Sequence, residues 1–333
     1  MINWIKRWFM KFFITILFLL FFSLTSQAVL KTYEPWLGNQ KMLVLLLAWD
    51  NEKPVLTSMQ VYDTIFKDSL SLASYFNENS QGQFNISGET TSWNSLDQSW
   101  PGTDCEPNLV AESAKDVLKQ NPENIDFTEY DSNQDGKIDH LLVIHSASVN
   151  GGQDNDCYSS GQLNSIANTN YISALTMDGG SKVPIGMILF HGAMRYYGFS
   201  SYYGMPSYGN YGIGMWGMMG LGTWGTHNLI SREDIYRYPS HFRPRAKAEL
   251  KWAEPILITE SKSNLKITPI ETGGHIYQTH FIGNAGSYNF LLEYRSEEGF
   301  SKGHPGHGLI IWDYWGGNSS SRNNVVEANG ASD

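Results

Sequence analysis

KMLVLLLAW, Lys41–Trp49, decides how the rest of the chain is read. Every side chain after Lys41 is apolar, with no polar alternation. The run's length and the turn-forming pair Asp50-Asn51 that bounds it predict a buried strand. Outward from it, residues 56–78 place Leu56, Met59, Val61, Ile65, Phe66, Leu70, Leu72 and Tyr75 at helical spacing. NSQGQFNISG, Asn79–Gly88, reads as a turn leading into a short strand, residues 108–119 as a helix, and Asp131–Asp139 as a polar loop before the strand His140–Ala147. Residues 148–182 are Gly-, Ser- and Asn-rich and signal little, whereas 184–198 reads as a helix. Residues 231–252 read as helical with a break near Pro244, and from about 255 the pattern is short strands between turns. Helices interleaved with strands early, then mostly strands, predict α+β rather than a regular parallel α/β sheet.

Lys6, Arg7 and Lys11 precede the apolar run Phe12–Phe22, and Ser26-Gln27-Ala28 offers small residues for cleavage. These regions predict a secretory signal peptide over 1–28. The alternative is an uncleaved anchor extended by Trp8, Phe9 and Leu24. The expected location is secreted, periplasmic or cell envelope, with no membrane contact after cleavage. The formal net charge of −10 disfavours nucleic acid and anionic lipid as partners. In an oxidising compartment Cys105 and Cys157 read as a disulfide, or else as two buried thiols, and two cysteines so far apart do not form a zinc cluster.

A zincin-type peptidase needs two His four residues apart on one helix face to share zinc, with a Glu after the first as general base. A turning Gly, a third ligand and a Met-bearing turn follow in the extended pattern. HGAMRYYGFSS, His191–Ser201, fits this frame at His191 and Gly198 only. Gly192 stands at the base position, Arg195 at the second ligand and Ser201 at the third.

The flanks are more specific. They contain the blocks IGMILF (185–190), GIGMWGMMGLGTW (212–224), YFNENSQGQFNISG (75–88), DFTEYDSNQDGKIDHLLVIHSA (126–147), AKAELKW (246–252), FLLEYR (290–295) and PGHGLIIWD (305–313). Through these blocks the chain resembles the immune inhibitor A family, the sixth metallopeptidase family, over nearly the whole mature chain. The resemblance implies a zincin-like mixed, twisted sheet with an active-site helix over 29–252. It also implies a Met-turn at Met219 and a mostly β subdomain at 253–333. The departures fall on the chemistry. Gly192 carries no base, Arg195 puts a permanent cation where zinc needs a neutral imidazole, and Ser201 is a poor ligand. Tyr294 replaces the family's Asn, and Asp313 its His.

The expectation is a metalloprotease-like protein without zinc or hydrolysis, serving as a structural scaffold or binding a polypeptide or glycan in the former cleft. The alternative is an active secreted zinc peptidase whose metal site is rearranged, for example around His191 with His227 or His307. His145 reads as structural, and His304 with His307 as a solvated turn.

Asp131, Asn133, Asp135 and Asp139, with Gly136, follow the oxygen spacing of a calcium loop. Leu142 at the twelfth position argues against a true EF-hand, and a polar turn capped by Asp and Asn is the alternative. The Gly- and aromatic-rich stretch 196–225 reads chiefly as packing around the Met-turn rather than as a binding surface.

Overall fold

The computed structural model describes residues 36–101, 107–148, 159–163, 169–176, 182–197, 213–225, 237–283, 286–314 and Val325. The residues read as a signal peptide, and both cysteines, lie outside them.

The apolar run is the strand β1, Gly38–Ala48. It lies in a five-stranded sheet with β2 (Phe84–Ser95), β3 (Leu141–Ser148), β4 (Ser159–Leu163) and β5 (Thr169–Thr176), in the order β2-β1-β3-β5-β4. All pairings are parallel except β4 with β5, which places an antiparallel strand at one edge. The lack of alternation in β1 now has its cause. Leu43, Leu45 and Leu47 pack with Leu141, Val143 and one face of the helix at 107–120. Val44 and Leu46 pack with Leu142, Ile144, Ile172 and Ala174 on the other face. A strand covered on both sides has no solvent face to mark with polar residues.

The expected helix over 56–78 is broken. Thr57 caps α1 (Ser58–Tyr62) in a capping box with Gln60. The chain continues as a π-helical turn, Asp63–Lys67, and leaves helical geometry at Asp68. Ser71 then caps a new helix, α2 (Leu72–Asn79), by accepting from the Ser74 amide. Asp and Ser bond backbone amides readily, so the apolar period ran straight through a stop and a restart. Helix α3 (Pro107–Gln120) covers the expected 108–119, and α4 (Ile185–Tyr197) the expected 184–198. β2 is longer than the expected short strand, and β4 and β5 lie where the sequence signals little.

Near Pro244 the correction is larger. Residues 237–243 are not helical, and α5 (Pro244–Glu249) begins at the proline instead of being interrupted by it. Proline forces its predecessor into extended geometry, as at Arg243 (ψ 158°), and suits the first helical position.

A second sheet follows, β6 (Ile256–Ile258), β7 (Tyr277–Gly283), β8 (Gly286–Arg295) and β9 (Gly308–Tyr314), paired in that order. β6 and β7 are parallel and the other pairs antiparallel. Leu291, Ile310 and Trp312 from this sheet join the same hydrophobic cluster as Val44, Leu46 and α4. The architecture is α+β. Among the described residues, no helix is long and apolar enough to cross a membrane.

Candidate functional site

Helix α4 follows β5 and packs against it and β4. Ile185, Met187, Ile188, Leu189 and Phe190 are buried, as are Gly192 and Ala193, so the helix has an apolar environment on most sides. His191 is half-buried, its ring edge-on to Phe190 at 5.5 Å between centroids. Burial pulls its imidazole down to about 4, so it is neutral at physiological pH.

Gly192, which the resemblance would place at the base position, faces the interior. A Cβ there would lie 3.1 Å from Cδ1 of Ile172 and 3.7 Å from Cη2 of Trp36. The wall around it encloses a cavity of about 10 Å³, with Trp36, Phe76, Phe84, Ile172 and His140 among its lining. That is scarcely room for one water. Gly192→Ala should therefore be near neutral, because its gain in helix propensity of about 1 kcal/mol offsets the tight contact. Gly192→Glu should lower stability by roughly 3 kcal/mol or more, since a carboxylate enters an apolar wall. Urea unfolding of the two variants checks this. Equal stability of the two would show that the introduced carboxylate escapes to solvent.

The Met-bearing segment sits against the start of α4. Thr223 Oγ1 donates to the Gly186 carbonyl at 2.8 Å, and a Cβ at Gly186 would overlap the Thr223 carbonyl oxygen. Only glycine permits that approach. Met218 and Met219 are buried in the main cluster. The backbone of Arg195 lies in α4, but its side chain, together with Gly198, Ser201, His227 and Tyr202–Tyr211, lies outside the described residues.

The blocks that carried the resemblance converge on a buried polar cluster that sequence reasoning did not foresee. On α2, Tyr75, Glu78 and Asn79 share one face and hold three consecutive residues. Tyr75 Oη donates to the Ser240 carbonyl at 2.7 Å, Glu78 Oε1 lies 2.6 Å from His241 Nε2, and Asn79 Oδ1 accepts from the Phe242 amide at 2.9 Å. Lys247 Nζ of α5 is 3.0 Å from His241 Nδ1. An ammonium can only donate, so Nδ1 accepts and Nε2 carries the proton toward Glu78. From β8, Arg295 pairs with Glu293 at 2.5 Å, donates to the Trp216 carbonyl at 2.6 Å and contacts His304 Nε2 at 3.1 Å. Trp312 Nε1 donates to Glu293 at 3.2 Å.

Glu293 and Arg295 are fully buried, and Lys247 and His241 almost equally so. His304 is buried too, which corrects its reading as part of a solvated turn, whereas exposed His307 pairs with Glu297. Burial raises Glu78 to about 7 and lowers Lys247 to about 8, and it pushes His241 and His304 well down. The signal was present in FLLEYR. Strand alternation puts Glu293 and Arg295 on the same face as buried Leu291.

His145 is buried as expected, its Nδ1 accepting from Trp49 Nε1 at 3.2 Å beside Trp100. In the acidic loop, Asp131 accepts from the Asp135 and Gly136 amides, Asn133 from Asp135, and Asp139 from Ser132. Lys137 rests its ammonium on Asp135 at 2.7 Å. The donors are all hard oxygens of the kind calcium takes. Among the described residues, no group of three or more His, Cys, Asp or Glu is gathered around a common metal position.

Compared with known proteins, the chain matches no family model and no curated protein.

Proposed function

We propose that this chain is an exported relative of the immune inhibitor A-type zinc peptidases that keeps a zincin-like scaffold and has given up hydrolysis. The observation that carries the reading is Gly192. Where a general base would have to reach a metal-bound water there is no side chain, and the Cβ direction points at Ile172 and Trp36. The scaffold part of the reading is supported by three features. The first sheet is mixed, with one antiparallel edge strand. Helix α4 follows β5 directly, and the Met218-Met219 turn is bonded to its first turn through Thr223.

Purified protein should contain well under one zinc per chain and leave casein intact. Stoichiometric zinc with casein cleavage would overturn the proposal in favour of an enzyme with a rearranged metal site. In place of catalysis, the former cleft binds an extended polypeptide or a glycan. Titration with unfolded casein and with a soluble polysaccharide tests this, and no saturable binding of either leaves a purely structural role.

Calcium in the 131–139 loop belongs to the same proposal. Asp131, Asn133, Asp135 and Asp139 would hold it, tying the loop to the start of β3. Calcium should raise the melting temperature relative to chelator, and Asp131→Asn should abolish the difference. An unchanged melting temperature would reduce the loop to a capped turn.

A further inference from the structure

The second sheet shares the trait that marked β1, apolar residues in succession where burial of a single face would alternate them with polar ones. Phe290-Leu291-Leu292 in β8 and Leu309-Ile310-Ile311-Trp312 in β9 are such runs. Alternation sends Leu291, Glu293, Arg295, Ile310 and Trp312 to one face, and that face is buried. The register shows what is left on the other. Leu292 of β8 stands opposite Tyr277 of β7 and Ile311 of β9, and Tyr277 pairs with Ile256 of β6. One row of apolar side chains therefore crosses all four strands. The flanking rows add Phe290 beside Asp313 on one side and Tyr294 beside Leu309 on the other.

This face is apolar yet only partly covered. Tyr277 is buried, whereas Phe290, Leu292, Tyr294 and Ile311 are half-buried. At the two edges Ile256 is 42% exposed and Leu309 50%. Among the described residues, Asp313 at one corner is the only charged side chain in the three rows. In β1 the same lack of alternation is matched by packing on both faces within the chain. Here the second cover must come from elsewhere.

We propose that this face is the contact of a two-fold dimer, in which the sheet of one copy lies on the same sheet of a second. Two sheets of identical twist can lie face to face with their strands within about 30° of each other. Four strands about 4.8 Å apart and three rows about 7 Å apart span roughly 19 by 20 Å. Two copies together would thus cover about 800 Å² in projection, and about 1,000 Å² once side-chain relief is included. That reaches the lower bound of a specific contact and falls well short of an obligate dimer, so the association is weak and reversible. Charge points to the same face. Two copies, each with a formal net charge of −10, repel one another through their acidic surfaces, and a face almost without charge is where they can meet at least cost.

Sedimentation velocity of the exported chain from about 1 to about 100 µM tests the dimer, since a contact of this size should have a dissociation constant of roughly 10 µM. Monomer should give way to dimer across that range. Leu309→Asp brings extra carboxylates into the contact and should weaken dimerisation about tenfold or more, and Ile256→Asp should act likewise. Both side chains are exposed, so the melting temperature of the monomer should hold. Met59→Asp, at a 63% exposed apolar position on α1, should leave dimerisation unchanged. A chain that stays monomeric throughout would overturn the proposal and leave the face to a partner of other chemistry. So would a dimer that survives both sheet variants, or one that Met59→Asp weakens equally. If a variant fails to fold, the wild-type concentration series still decides.

Discussion

Arg295→Met should destabilise the protein by about 3–5 kcal/mol, enough to remove a large part of the stability of an ordinary domain. The loss comes less from the missing ion pair than from what remains. Glu293 is fully buried, and without the guanidinium its one remaining hydrogen-bond donor among the described residues is Trp312 Nε1 at 3.2 Å. The Trp216 carbonyl loses its donor at the same time, on the segment that supports the start of α4. A buried charge stripped of its partner costs far more than the pair contributed. The double variant Arg295→Met with Glu293→Leu should therefore recover most of the loss. Denaturant unfolding of the three proteins measures both effects. A single mutant within about 1 kcal/mol of wild type would show that the cluster is hydrated and screened.

Stability should also fall steeply on mild acidification. His140, His145 and His191 are held by burial at about 4, 3 and 4. A histidine with a depressed folded value gives its full stability above the unfolded value of 6.5. That stability is lost as pH falls toward the folded value, because the unfolded chain takes up the proton first. Each such histidine contributes a slope of about 1.4 kcal/mol per pH unit. Glu78, raised to about 7, has the opposite sign, becoming more stabilising as pH falls from about 7 to 4.5, and so offsets one of the three. The remainder of these four groups, about 3 kcal/mol per pH unit, adds to the loss from His241 and His304, which burial also holds well down, and should bring acid unfolding within about two units of neutrality. Urea midpoints at pH 7.5 and pH 5 measure the loss. His145→Asn keeps an acceptor for Trp49 Nε1 and should flatten the acid limb by one histidine's slope. Equal midpoints at the two pH values would mean that these rings are not buried as placed.

The sequence was most legible where structure is local. KMLVLLLAW showed a buried strand, and its lack of alternation reflects the packing of both faces of β1. Residues 184–198 showed their helix through an apolar run of helical length. The reading failed where long-range pairing decides. β4 carries a single apolar residue and β5 lies within the polar stretch 148–182, yet β5 is fixed by register with β3, placing Ile172 and Ala174 in the core. At Pro244 a residue that ends helices proved to start one, because proline holds its predecessor Arg243 extended and itself fits the first helical position.

The candidate site divides the same way. That Gly192 follows His191, with Arg195 three residues further on, is fixed by the order of residues, and a glycine side chain offers no group that could act as a base there. That Gly192 faces Ile172 and Trp36, and that Glu78 meets His241 across 163 residues, depended on how the elements pack. Side-chain chemistry is local and can be read along the chain. Burial, and the partner a buried charge finds, are properties of surfaces that only folding brings together.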